Sequence, residues 1–129
     1  INYGQNNTLI ARSPLASGLL SGKMNKDTVF DKNDYRYSWL KGERFNSLLK
    51  RVDAIAELTG NYSLPDVAKL FLLQNDKIDK VIFGIKCIEH VDMIKDHLNN
   101  SLLPDELIIK LFDLYKNDFG LINERHLSY

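Results

Sequence analysis

The 129-residue sequence has little cysteine, no long apolar run and no excess of charge of either sign. Its one cysteine, Cys87, has no partner in the chain for a disulfide, which is typical of a reducing compartment, so we expect a cytoplasmic protein. No run approaches the roughly 18 apolar residues of a membrane span, and we expect no membrane partner. Because 17 basic residues balance 17 acidic ones, the charge gives no support for binding nucleic acid.

Motifs of several common site classes are also missing. The sequence has no Gly-x-Gly-x-x-Gly or Walker-type loop for a Rossmann or P-loop nucleotide site, and no Gly-x-Ser-x-Gly elbow for a hydrolase. The histidines, His90, His97 and His126, lack the spacing of metal ligands with carboxylates. None of the 6 tyrosines lies in a recognisable acid–base setting. We therefore assign neither a metal site nor a catalytic residue.

A short apolar segment, 8–11, leads into a loop rich in serine, glycine and proline that ends at Lys23. Its composition predicts a strand, which we expect to end near Ser13 because Pro14 has no N–H for a ladder. Two glycines allow the backbone to approach a ligand closely, the serines offer hydroxyl donors, and Lys23 adds a positive charge. This combination favours a phosphate ligand; the alternative is a strand end followed by ordinary turns.

Apolar residues recur at helical spacing in four segments, which begin near positions 45, 63, 88 and 104. The first segment ends at Gly60, as at a helix C-cap, and Ser63 with Asp66 three residues later is typical of a capping box. The run 81–83 predicts a second strand. The resulting order is strand, loop, helix, helix, strand, helix, helix. This alternation predicts an α/β fold with parallel strands and right-handed crossovers.

Three segments resemble one family in order and spacing. Residues 13–23, which read Ser-Pro-Leu-Ala-Ser-Gly-Leu-Leu-Ser-Gly-Lys, resemble the seventh-strand loop of the aldo-keto reductases, and 63–73 are similar to the helix after it. Residues 80–91 are similar to the family's eighth strand and the turn that follows. The resemblance implies that residues 1–129 are a partial reductase-like domain: the C-terminal portion of a (β/α)8 TIM barrel, with about two strands and several helices, incomplete on its own.

The resemblance also implies a cofactor, NADP, in the intact protein. In the family, the loop near 8–23 wraps the cofactor pyrophosphate, and the matching residues are Ser13, Leu15, Ser17 and Lys23. The strand and turn near 80–94 grip the adenosine 2′-phosphate, where a cation favours NADP over NAD, and the matching residues are Gly84, Lys86 and His90. His90 stands where the family usually has Gln or Arg. The alternative is that Lys86 and His90 are a solvated cation and a surface histidine.

The family's catalytic Tyr, Lys, Asp and His come from earlier strands, and none of those motifs occurs here. We therefore expect a fragment of an NADP-dependent oxidoreductase that reduces small carbonyl compounds, inactive by itself, and the start at Ile1 without a methionine agrees with a fragment. Two alternatives stay open: a non-catalytic reductase-derived binding module, and a truncated product without its own activity. Because two strands leave a barrel core uncovered, we also expect self-association or a complementing chain.

Overall fold

Two short strands and four helices follow one another in the order that the hydrophobic pattern predicts. The protein's computed structural model describes residues 7–100 and 102–121. Its elements are β1 (Ile10–Arg12), α1 (Gly42–Thr59), α2 (Leu64–Leu73), β2 (Lys80–Ile82), α3 (Ile88–Asn100) and α4 (Asp105–Lys116), with 3₁₀ turns at Ala16–Ser21, Tyr35–Ser38 and Asp118–Gly120. The predicted α/β alternation is confirmed.

Local sequence signals set the boundaries of the first two helices. Helix α1 stops before Gly60, whose φ of 60° lies in the left-handed region that glycine tolerates. Helix α2 begins after Ser63, whose Oγ accepts a hydrogen bond from the Asp66 N–H at 3.2 Å. Pro65 lies in the first turn, where its missing N–H removes no helical hydrogen bond. The predicted helix start at Ser63 is confirmed.

The two strands form a parallel pair. Its register places Ile10 opposite Lys80, Ala11 opposite Val81 and Arg12 opposite Ile82. The ladder begins later than the apolar run 8–11 suggests, because the Leu9 N–H donates to the Asp79 carboxylate at 2.7 Å. Successive strand residues point to opposite faces, and only the face with Ala11 and Val81 is partly covered. The other face is open, with Ile82 59% exposed.

The first core cluster joins the loop after β1 to helix α1. Its buried members are Leu19, Leu40, Phe45, Leu49 and Val52. Leu19 is 3% exposed and Leu40 is 1% exposed, and both precede α1 in the chain. The rings of Phe30 and Phe45 meet edge-on with their centroids 6.0 Å apart. Burial of these side chains fixes the loop at 13–23 against α1.

The second core cluster joins α2 to the start of α4. Its buried members are Val67, Leu70, Leu103 and Leu107. The side chain of Gln74 pairs with the backbone of Leu103, which is 2% exposed. The Leu103 N–H donates to Gln74 Oε1 at 2.6 Å, and Gln74 Nε2 donates to the Leu103 carbonyl at 3.1 Å. Both backbone groups of a buried residue are thus satisfied, which fixes the connection before α4.

A lysine interrupts the buried face of α2. Lys69 is 4% exposed, and its Nζ lies 3.3 Å from Oδ1 of Asp66, one turn earlier. In the part of the chain that the structure describes, this ammonium has no partner with hydrogen-bond geometry. The Lys69 side chain is 5% exposed and that of Asp66 is 34% exposed, so the ammonium loses most of its hydration and the net contribution of the pair to stability is small. Helix α2 therefore carries a charge at a position where an apolar side chain would pack.

The turn after α4 is held against α1 by Arg51. Its Nη1 donates to the Ser47 carbonyl at 3.1 Å, and its Nη2 lies 3.5 Å from Oδ1 of Asp118. The guanidinium carbon lies 5.9 Å from the centroid of the Phe119 ring. Asp118 and Phe119 have φ of 47° and 56°, in the left-handed region that non-glycine residues rarely adopt. The contacts of Arg51 stabilise this strained turn.

Candidate functional site

The loop that follows β1 is built from consecutive tight turns. The Ala16 N–H donates to the Ser13 carbonyl at 2.8 Å, and the Gly18 N–H donates to the Leu15 carbonyl at 2.8 Å. Ser13 and Ser17 have φ of 57° and 58°. A non-glycine residue in this region carries a strain of order 1–3 kcal/mol. Contacts from outside the loop must therefore hold this backbone in place.

Two such contacts hold the loop, one with the first core cluster and one with the segment before α1. Leu19 is buried in the first core cluster, and Nη1 of Arg36 donates to the Ser17 carbonyl at 3.2 Å. Gly18 allows the approach of Arg36. A Cβ at Gly18 would lie 2.9 Å from Cε of Met24 and 3.2 Å from Nη1 of Arg36, and the φ of 96° also disfavours an L side chain. The sequence places a glycine where the guanidinium needs the space.

The four residues matched to the cofactor pyrophosphate, Ser13, Leu15, Ser17 and Lys23, all lie in the loop at 13–23. Ser13 and Lys23 are exposed, and Leu15 and Ser17 are half-buried. Over residues 7–100 and 102–121, the Ser13 and Ser17 hydroxyls and the Lys23 ammonium have no hydrogen-bond or ion-pair partner. The Lys23 N–H donates to Oγ of Ser21 at 3.2 Å. Two hydroxyl donors and one cation are thus available to a ligand at the carboxyl end of β1.

The second predicted binding segment lies between β2 and α3. Gly84 and Lys86 are exposed, and His90 is half-buried in the first turn of α3. The Lys86 N–H donates to Nδ1 of His90 at 3.4 Å, which closes a turn across the start of the helix. The pKa of Glu89 is lowered, first because its carboxylate accepts a hydrogen bond from the Cys87 thiol. The Lys86 ammonium remains at the surface beside this turn.

The carboxylate of Asp34 holds the Arg36 side chain beside the loop. Nε of Arg36 donates to Asp34 Oδ1 at 2.9 Å, and Nη2 donates to Oδ2 at 2.5 Å. These side-chain hydrogen bonds, the Arg36 backbone N–H and the positive charges of Arg36 and Lys86 lower the pKa of Asp34 to about 2. The parallel pairing of β1 with β2 is what places the segments after the two strands at the same edge of the sheet.

We expect the Asp34–Arg36 pair to make stability depend on pH in the acidic range. The folded-state pKa of Asp34, about 2, is below the ordinary value of 3.8, so its contribution is fully present above about pH 4 and is lost as the pH falls through about 2. Denaturant unfolding of the wild type and of Asp34→Asn would show a stability difference that is constant at neutral pH and shrinks below pH 4. The exposed Asp53→Asn variant is the control, and a difference that persists unchanged at pH 2 would contradict the pairing.

An apolar groove of about 470 Å³ lies beside the loop. Arg12, Ser13 and Pro14, at the carboxyl end of β1, line one end of it. Leu20 of the same loop also lines it, and the remaining lining comes from α1, α2, α4 and the turn after α4: Ile55, Leu64, Val67, Ala68, Phe71, Leu72, Leu111, Phe112, Tyr115 and Phe119. Sequence reasoning missed this groove, because residues far apart in the chain form it. It also missed the Asp34–Arg36 pair, which the Asp-x-Arg spacing could have indicated.

Two other site classes have no counterpart among the residues that the structure describes. No helix there is both long enough and apolar enough to cross a membrane. No group of three or more His, Cys, Asp or Glu side chains there could hold a metal ion.

Comparisons with known proteins identify one family and one similar solved structure. A family model for the aldo/keto reductase family matches residues 3–115, which include both predicted binding segments. No curated protein matches the sequence. The structure is similar to a glycerol dehydrogenase from Gluconobacter oxydans, with a TM-score of 0.73 and 25% identity over 96% of this chain and 38% of that one.

The chain spans 38% of the length of that solved structure, so the likeness concerns one part of its fold. The parallel pair β1–β2 and its helices match a part of the (β/α)8 barrel, as the resemblance implied. The family model extends over most of the 129 residues. The chain belongs to the aldo/keto reductase family.

Proposed function

We propose that this chain supplies the cofactor-phosphate loops of an NADP-dependent oxidoreductase that reduces carbonyl compounds. The observation that carries the proposal is a set of donors, Ser13, Ser17 and Lys23, on one loop at the carboxyl end of a parallel strand, whose side chains have no partner among the residues that the structure describes. In barrels of this kind, ligands bind at the carboxyl ends of the strands, and phosphates bind in the loops after the last ones. Membership of the aldo/keto reductase family supports a nicotinamide cofactor as that ligand.

The proposed roles follow from the chemistry of each side chain. The Ser13 and Ser17 hydroxyls donate to pyrophosphate oxygens, and the mobile Lys23 ammonium neutralises part of their charge. Leu15 packs along the cofactor, and its carbonyl holds the loop closed by accepting from the Gly18 N–H. Gly84, Lys86 and His90 line the adenosine 2′-phosphate, where the Lys86 cation favours NADP over NAD.

We assign binding and orientation, and no proton transfer, to these 129 residues. The bound cofactor supplies the hydride that reduces the carbonyl carbon, whereas the proton donor for the carbonyl oxygen lies in strands that this sequence does not contain. The full-length protein that we propose joins this chain to those strands. Its other partners are a small carbonyl substrate and the part of the barrel that covers the open face of β1 and β2.

A second candidate function is a non-catalytic nucleotide-binding module derived from a reductase. The observation that favours it is the contact between the Lys86 N–H and Nδ1 of His90, which leaves that nitrogen less available to a cofactor. The two functions differ in whether the full-length protein catalyses a reaction with the bound nucleotide. Oxidation of NADPH by the full-length protein with a carbonyl compound would support the reductase, and saturable nucleotide binding without turnover would support the module.

Replacement of Lys23 by alanine tests the pyrophosphate assignment. In the full-length protein, we expect Lys23→Ala to weaken NADPH binding by about 1–3 kcal/mol, or about 5- to 150-fold, because a charged hydrogen bond is lost. The measurement is a fluorescence titration of NADPH. Lys77→Ala is the matched control, since Lys77 is also exposed but precedes β2, at the opposite end of the parallel strands. Equal losses in both variants, or none in either, would contradict the role of Lys23.

A further inference from the structure

We propose that Arg36 is a positioning residue for the cofactor pyrophosphate, acting through the Ser17 carbonyl without touching the cofactor. The inference rests on the proposed function and deepens it. It assigns a specific task to a side chain outside the loop that binds the ligand. Arg36 contacts Asp34, Phe30 and the Ser17 carbonyl through its guanidinium, and the Leu40 N–H through its own carbonyl.

The first step is that the guanidinium itself is fixed. The Asp34 carboxylate accepts two hydrogen bonds from the guanidinium, from Nε at 2.9 Å and from Nη2 at 2.5 Å. The Phe30 ring lies under the guanidinium, with its centroid 4.5 Å from the central carbon. Nη1 is left to donate to the Ser17 carbonyl at 3.2 Å. Because Asp34 binds one edge of the planar guanidinium and Phe30 stacks on one face, the group has little freedom to move away from Ser17.

The second step is that Arg36 is tied to the core. Its own backbone carbonyl accepts a hydrogen bond from the Leu40 N–H at 2.8 Å. Leu40 is 1% exposed and belongs to the same core cluster as Leu19. The loop is therefore attached to one rigid body at two points, by the Leu19 side chain and by the Arg36 guanidinium.

The third step concerns the peptide bond between Ser17 and Gly18. Its carbonyl accepts from Arg36, and its N–H donates to the Leu15 carbonyl at 2.8 Å. Both polar groups of this peptide are therefore fixed, although Ser17 and Gly18 have φ of 58° and 96°. Fixing the peptide also fixes the Cα–Cβ direction of Ser17, whose hydroxyl is one of the proposed phosphate donors. Preorganisation of a donor removes an ordering cost from binding.

The experiment compares two arginines with similar surroundings in the full-length protein. Arg51 also stacks on a phenylalanine, contacts an aspartate and donates to a backbone carbonyl, but it holds the turn after α4. We expect Arg36→Gln to weaken NADPH binding at least tenfold, whereas Arg51→Gln changes it less than twofold. Both variants should lower the thermal unfolding midpoint. Arg36→Lys keeps the positive charge but loses the planar set of N–H donors, so it should restore only part of the affinity.

A second ligand separates positioning from a general loss of folding. Adenosine 2′-monophosphate lacks the pyrophosphate, so its affinity should be the same in wild type and Arg36→Gln. Equal NADPH affinity in wild type and Arg36→Gln would overturn the positioning role and leave the proposed function intact. Full recovery in Arg36→Lys would also overturn it, since charge alone would then suffice. A wild-type protein that binds neither nucleotide would overturn the proposed function and the positioning role together.

Discussion

Replacement of Leu19 by alanine is expected to lower the free energy of unfolding by about 2–5 kcal/mol. Leu19 is 3% exposed and packs in the first core cluster with Leu40 and Phe45. Truncation removes buried methyl groups and leaves a cavity that the surrounding side chains fill only in part. Because the next contact of the loop with the core is made by Arg36, the loop would also lose one of its two anchors.

Urea unfolding of wild type and variant measures this change. Leu19→Met is the matched control, since it keeps nearly the same volume and should cost less than about 1.5 kcal/mol. If Leu19→Ala and Leu19→Met lower stability equally, packing of Leu19 in the core is not what holds the loop. The same two variants also test whether Leu19 supports the binding loop. We expect Leu19→Ala to lower the affinity for NADPH and Leu19→Met to retain it.

Replacement of Leu70 by alanine is expected to cost a similar amount, about 2–5 kcal/mol, in the second core cluster. Leu70 is 2% exposed on α2 and packs with Leu103 and Leu107. These contacts hold α2 against the start of α4, and the Gln74–Leu103 hydrogen bonds depend on the same approach. The cavity would therefore loosen a connection between residues far apart in the chain.

Leu102→Ala is the control for this experiment. Leu102 neighbours Leu103 in sequence but is 74% exposed, so its truncation should change the free energy of unfolding by no more than about 0.5 kcal/mol. Denaturant unfolding followed by circular dichroism compares the two variants. A Leu70→Ala loss as small as that of Leu102→Ala would show that the second cluster does not contribute to the stability of the fold.

Helices and strands of this chain could be predicted because their signals are local. The apolar spacing in α1 and the Ser63 cap of α2 depend on residues within a turn or two of each other, and both predictions are confirmed. Strands β1 and β2 begin one or two residues away from the starts of the apolar runs 8–11 and 81–83 that predicted them. Their limits depend on pairing partners about 70 residues away, as the contact between Leu9 and Asp79 shows.

The loop at 13–23 could be predicted as a ligand loop, but its conformation could not. Positive φ at Ser13 and Ser17 has no signal in residue type, because serine has no preference for that region. At Ser17 the backbone is held by a hydrogen bond from Arg36, which is 19 residues away along the chain. The roles of the seven matched residues in cofactor binding stay predictions, and they came from the resemblance to the reductases. The apolar groove had no sequence signal, since four separate elements and a turn assemble it.

The buried ammonium of Lys69 lowers the stability that α2 contributes to the fold. Selection for maximum stability alone would not retain an ammonium at 4% exposure, since an apolar side chain of the same length fills the space without losing hydration. Lys69 lies on α2 between Val67 and Leu70 of the second core cluster, whereas Leu19 belongs to the first. The chain therefore forgoes stability in α2 that an apolar side chain would supply, while it also bears the cost of the strained backbone at Ser13 and Ser17.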